Sequence, residues 1–165
     1  MPEIKTGPVF RAAEEARAVW SMGSMHERLL TASDSGGAMG LSIVTQPPGT
    51  ATPLHVHHKE AEAFYLLEGS MTYRAGDDVF RLESGDFIYL PVDIPHAFRI
   101  VGSSAARFLA VAVPGAVLDL YQDVSRPAEE RRLPGAPQGP EEIARWVDAA
   151  GRYGIEVLGP PLPEG

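Results

Sequence analysis

The residues able to do chemistry in this chain are few and sit close together. His55 and His57 are one residue apart, Glu62 follows five residues after the second, and a lone His96 lies further on. In an extended strand alternate side chains share a face, with their Cα atoms roughly 6.5–7 Å apart, so imidazoles at i and i+2 can converge on one metal ion. Taken alone, such a pair is equally compatible with two solvated surface histidines or two satisfied core ones. Two additions favour the metal. Glu62 follows a four-residue turn and can open the neighbouring strand beside the imidazoles, and His96 opens another strand just after the rigid Pro91–Pro95 loop. The chain has no cysteine, so thiolate zinc sites, cysteine nucleophiles and disulfides are excluded, and a metal would have to be held by nitrogen and oxygen.

The elements that must position these groups read as short strands. Gly and Pro account for 17 and 15 of the 165 residues, which points to many turns rather than to a helix bundle. Strands are expected over about 19–23, 26–31, 38–46, through His55 and His57, then 62–67, 71–74, 79–82, 87–90, 96–101 and 107–113. Asp34-Ser35-Gly36-Gly37 supplies a hairpin turn, and 58–61 a tight one. Residues 12–18 read as a short helical turn or an irregular arm. After Gly115 the character changes: 116–124 reads as one helix and 126–140 as a Pro-, Gly- and charge-rich connector. Ile143, Trp146, Val147 and Ala150 then recur at i, i+3, i+4 and i+7, an apolar helical face expected to pack on the barrel or on a partner subunit. Gly151 and Gly154 end that helix, and the Pro160-Pro161 tail is expected to be extended. The chain thus reads as one domain, 1–165, with an all-β barrel core at about 19–113 and a short C-terminal helical extension at about 116–165.

The spacing around the histidines resembles the cupin superfamily. Residues 49–69 match its first motif, G-x5-H-x-H-x4-E-x6-G, at every fixed position: Gly49, His55, His57, Glu62 and Gly69. Residues from Gly85 resemble the second, G-x5-P-x-G-x2-H-x3-N, through Gly85, Pro91 and His96, while Asp93 stands for its glycine and Ile100 for its asparagine. Neither departure is a ligand position, although Asp93 leaves the shape of its loop in question. The resemblance implies a cupin jelly-roll barrel with His55, His57, Glu62 and His96 around one divalent ion. It also prefers Glu62 to Glu60, which would break the family spacing, and His57 to His58, which is out of phase. Three imidazoles and a carboxylate suit Ni, Co, Fe, Mn, Cu or Zn. Phe64 and Leu66 share the parity of Glu62, and Phe98 and Ile100 that of His96. All four should therefore face inward, with Phe64 and Phe98 walling a substrate pocket. His26 reads as structural or solvated, and the 143–150 face as packing.

Below the superfamily, the His55–Gly69 run, Pro95-His96-Ala97-Phe98-Arg99 and Tyr153-Gly154-Ile155-Glu156-Val157-Leu158 resemble the quercetin 2,3-dioxygenase-like monocupins. That implies a metal-dependent dioxygenase opening the heterocycle of a flavonol-like enolisable aromatic with O2 and loss of carbon monoxide, with Glu62 as ligand and general base. A non-oxidative metal cupin (isomerase, lyase or decarboxylase) and a non-catalytic small-molecule-binding cupin are the alternatives. A net charge of −8 argues against nucleic acid or an anionic membrane as partner, and no apolar run approaches the ~18–20 residues that span a bilayer. The N-terminus lacks a signal-peptide pattern, and the absence of cysteine suits the cytoplasm. A homodimer is expected from family habit and from the exposed edges of a short barrel.

Overall fold

A computed structural model describes residues 7–136 and 139–164; residues 1–6 of the N-terminal arm, 137–138 of the connector and 165 lie outside it. A single 3-10 turn at Ala13–Glu15 precedes β1 (Arg17–Ser21), β2 (Ser24–Leu30) and β3 (Gly40–Gln46). The histidine strand β4 (Pro53–His57) follows, then β5 (Ala61–Glu68), β6 (Ser70–Ala75), β7 (Asp78–Glu83), β8 (Phe87–Leu90), β9 (His96–Val101) and β10 (Ala106–Val113). The expected strands all form.

The strands pair antiparallel in two sheets. After the two-residue strand β11 (Arg126–Pro127) is added, one sheet runs β11-β1-β2-β3-β10-β5-β8. The other runs β12-β4-β9-β6-β7, where β12 is Ile155–Pro161 at the C-terminal end. Period-2 alternation decides which face of each strand turns inward: β3 and β10 alternate buried and half-buried positions along their length. Leu66, Met71, Tyr73, Phe98, Ile100 and Phe108 form the core between the sheets, together with Phe64. The inward placement expected for Phe64, Leu66, Phe98 and Ile100 is therefore observed. Ile100 has taken the motif's asparagine position into that core.

The C-terminal extension differs from expectation in three ways. Residues 115–124 are not one helix but a 3-10 turn, Gly115–Asp119, continued by the short helix α1, Leu120–Val124. The tail is more than extended: β12 pairs with β4, with Val157 opposite His55 and Ile155 opposite His57. In helix α2 (Pro140–Arg152) the buried residues are Trp146, Ala149 and Ala150, whereas Ile143 and Val147 remain 40% and 50% exposed. The helix is rotated because its inner face must also serve Val117, Leu118, Leu120 and Ile155, with which it forms a second apolar cluster. Polar ties fix the extension to the barrel. Arg28 pairs with Asp119 at 2.6 Å, the Trp20 indole N–H donates to the Arg132 carbonyl at 2.7 Å, and the Met22 N–H donates to Glu142 at 2.6 Å. The helix thus packs on its own barrel. No helix among the described residues is long and apolar enough to cross a membrane.

The motif glycines hold the turns around the site. Gly49, Gly69 and Gly85 all have positive φ, at 80°, 87° and 96°. At Gly69 a Cβ would also stand 2.8 Å from the Ala105 carbonyl oxygen, whereas at Gly49 it would meet nothing within 4 Å. Gly49→Ala is expected to cost about 1 kcal/mol of strained backbone, and Gly69→Ala roughly 2–4 kcal/mol because strain and overlap add. Denaturant titration of both variants checks this; equal losses would contradict the packing at Gly69.

Candidate metal centre

His55 and His96 are direct cross-strand partners on β4 and β9, and His57 lies two residues along β4. Glu62 sits on β5 of the opposite sheet, so the four groups face one another across the barrel interior. All four are buried, and they offer ligand atoms within 4.8 Å of one another. The ring centroids of His55 and His96 are 4.4 Å apart, with His57 5.2 and 5.3 Å from them. The Nε2 atoms of His57 and His96 each lie 3.2 Å from the same Glu62 oxygen, Oε2. Among the described residues this is the group of His, Asp and Glu side chains that could hold a metal ion.

The outer nitrogens show that the set suits a metal. His55 Nδ1 donates to the Pro53 carbonyl at 2.7 Å and His96 Nδ1 to the Ile94 carbonyl at 2.8 Å. His57 Nδ1 lies 2.5 Å from the buried carboxylate of Glu60. A carbonyl can only accept, so Nδ1 carries the proton in His55 and His96 and each Nε2 keeps a lone pair free to ligate; the Glu60 carboxylate favours the same tautomer in His57. Charges agree with this assignment. Burial, helped by the His96 imidazole, lowers the His55 pKa to about 4, so that ring is neutral near pH 7. Burial opposes ionisation of Glu62, but the three imidazoles outweigh it and lower its pKa, keeping a carboxylate at the centre. For His57, burial is likewise outweighed by Glu62 and Glu60, which raise its pKa. A metal ion would have to displace that extra proton affinity.

The neighbouring residues fall into distinct places. His58 is exposed, out of phase as expected, and its two ring nitrogens face Asp93 at 2.6 Å and Glu156 at 3.0 Å, which raise its pKa. Asp93 takes φ 65°, the left-handed backbone that favours the motif's glycine, and its N–H donates to the His57 carbonyl at 2.9 Å. The loop thus keeps a backbone that glycine would favour, with the aspartate added as a partner for His58. Glu60, weighed in the sequence only as a rival ligand, instead orients His57. Its signal was present: an acid three residues after a ligand histidine, in a tight turn.

A cavity of about 70 Å³ opens on the four groups, and Phe64 and Phe98 are among the residues that line it. Its wall also includes residues that sequence reasoning did not place there. His26 is buried, stacks on Tyr121 with ring centroids 4.2 Å apart, and has its pKa lowered to about 4 by burial and then by Arg28. Trp146, expected only to pack, stands edge-on to His55 at 6.5 Å and borders the cavity with Ile155. These ring contacts join residues 95 and 91 positions apart, so no local pattern announces them.

Known proteins agree with this architecture. The Cupin domain family matches residues 42–112. Quercetin 2,3-dioxygenase of Bacillus subtilis is 25% identical over 165 residues, covering 99% of this chain and 48% of its own. The chain spans about half to three-fifths of the length of the first curated relatives it matches. Ectoine synthase from P. lautus is similar in fold, with a TM-score of 0.61 at 19% identity, over 81% of this chain and 99% of that one. A predicted oxalate decarboxylase from Thermotoga maritima has a TM-score of 0.57 at 21% identity, over 64% and 99%.

Alanine in place of His55, His57 or His96 should abolish divalent-metal retention in purified protein while leaving the β-sheet circular dichroism intact. His58→Ala should retain the metal. Glu60→Gln should weaken affinity by about 10–100-fold through loss of the His57 orientation. Metal analysis and titration check all three, and a metal content unchanged in His96→Ala would sink the ligand set.

Proposed function

The chain belongs to the cupin superfamily, and from that premise we propose that it is a metal-dependent dioxygenase acting on a flavonol-like enolisable aromatic. The observation that carries the proposal is one carboxylate and three lone-pair nitrogens converging at the floor of an otherwise aromatic and aliphatic cavity. The likeness to quercetin 2,3-dioxygenase supports it further, because that alignment runs through the C-terminal extension as well as the barrel.

His55, His57, His96 and Glu62 would hold one divalent ion. When bound, it would supply a positive centre that anchors an enol oxygen and makes its proton more acidic. The protein's own groups do the rest. Glu62 stands ionised at the cavity floor and accepts the enol proton as general base. Phe64 and Phe98, with ring centroids 6.2 Å apart, form an apolar wall that holds a flat ring and excludes water while the ring opens. Tyr73, buried beside them with its pKa raised by burial and by Glu62, stays protonated and can donate to an oxyanion forming there. The same donors would serve an isomerase, lyase or decarboxylase; consumption of O2 separates those reactions from this one.

An exposed aromatic face on β5 and β8, with Tyr65 beside Phe87 and Tyr89 further along, supports a homodimer. Sedimentation at twice the chain's mass is expected; a monomer at micromolar concentration would rule it out. For the chemistry, an oxygen electrode should record uptake when metal-reconstituted protein meets a flavonol. Glu62→Gln should retain part of its metal and lose roughly 10²–10⁴-fold in turnover. Near-normal turnover in that variant would place the base elsewhere.

A further inference from the structure

The cavity at the four candidate ligands has a neighbour. A second cavity of about 230 Å³ lies beside it, between the mouth of the barrel and the C-terminal extension. His26, Gln46, Thr52, Tyr121 and Trp146 border both. The outer cavity is where Ile143 and Val147, the half-exposed residues of α2, find their place: they line it together with Val157 of β12. No lysine, arginine, aspartate or glutamate borders it among the described residues. Its chemistry is that of a neutral, largely apolar slot faced by aromatic rings.

One polar group on the shared rim has no protein partner. Gln46 is 8% exposed, and its Oε1 is buried without a hydrogen bond among the described residues. A buried amide of this kind is ordinarily satisfied, so an unmatched one bordering two cavities marks where a ligand's polar atom belongs. A hydroxyl fits best, since it can donate to Oε1 and accept from the amide nitrogen. An alkyl group would leave the amide unmet, and an ionised group would find no countercharge. Around this amide the walls are aromatic: the Trp146 indole and the stacked His26–Tyr121 pair both line the outer cavity and suit a flat ring.

We propose that the two cavities form one elongated site, in which the chelating ring of the substrate lies in the inner compartment and a second, hydroxyl-bearing aryl ring lies in the outer one, read by Gln46. The proposal deepens the dioxygenase reading and rests on it for the chelating ring, but the outer compartment is tested apart from turnover. The experiment is anaerobic calorimetric titration of metal-reconstituted protein with three probes. These are 3-hydroxychromone (the chelating bicycle alone), flavonol (the same bicycle with a plain phenyl group) and a flavonol hydroxylated on that phenyl.

Flavonol should bind at least about tenfold more tightly than 3-hydroxychromone, and the hydroxylated flavonol about tenfold more tightly again. Val147→Trp, a change at a half-exposed helix position, should fill the outer compartment. It should reduce both flavonols to the affinity of 3-hydroxychromone without altering 3-hydroxychromone itself. Gln46→Leu should remove only the advantage of the added hydroxyl, and unchanged 3-hydroxychromone binding shows that either variant is folded. Equal affinities for 3-hydroxychromone and flavonol in the wild type overturn the proposal. So does failure of either flavonol to bind, or loss of both flavonols alike in Gln46→Leu. The expected binding pattern without any oxygen uptake would leave the elongated site standing and remove the dioxygenase reading.

Discussion

Everything at this site depends on how the outer nitrogens of three histidines are held. Burying three imidazoles and a carboxylate together is costly unless each polar atom is met. The Pro53 and Ile94 carbonyls and the Glu60 carboxylate engage Nδ1 of His55, His96 and His57, which leaves each Nε2 directed at the shared centre with Glu62. Two of those partners are backbone groups two residues before the histidine they hold. For His55 and His96 the local backbone therefore sets the tautomer, and only His57 recruits a side chain for it.

The scaffold follows from that requirement. The histidines come from neighbouring strands of one sheet and the carboxylate from the other, so the site exists only when the two sheets close face to face. Glycines with positive φ carry the chain around it, and β12 covers the edge of β4 that would otherwise be unpaired. The extension does more than cover an edge. Through Trp146, Tyr121 and Ile155 it supplies part of the wall around the site. Phe64, Phe98 and Phe108 supply another part from the barrel, and the aromatic contacts among them tie the cavity to the core. The wall that would shape a substrate is thus also the packing that stabilises the fold.

The barrel was legible in the sequence because its signals are local. Alternation of apolar residues and closely spaced Gly and Pro turns mark each strand, and an HxH pair with its following carboxylate marks the floor of the site. Inward parity placed Phe64 and Phe98 correctly for the same reason. What escaped was non-local or depended on rotation. Helical periodicity grouped Ile143 and Val147 with Trp146 and Ala150, yet packing against Leu118 and Ile155 turns only Trp146 and Ala150 of these four inward. His26 looked isolated because the ring it stacks on, Tyr121, lies 95 residues away. Glu60 was read as a competitor for the metal because spacing alone does not tell a ligand from the residue that orients one. Asp93 looked like a departure, but its backbone keeps the conformation a glycine would favour.

The central claim is that His55, His57, His96 and Glu62 together bind one divalent ion at the floor of the barrel. X-ray absorption of protein reconstituted with one equivalent of cobalt or nickel tests it most directly. The account predicts a first shell of nitrogen and oxygen at about 2.0–2.2 Å, carrying the outer-shell scattering of three imidazoles. A shell with one imidazole or none, or protein that takes up no metal, would contradict it.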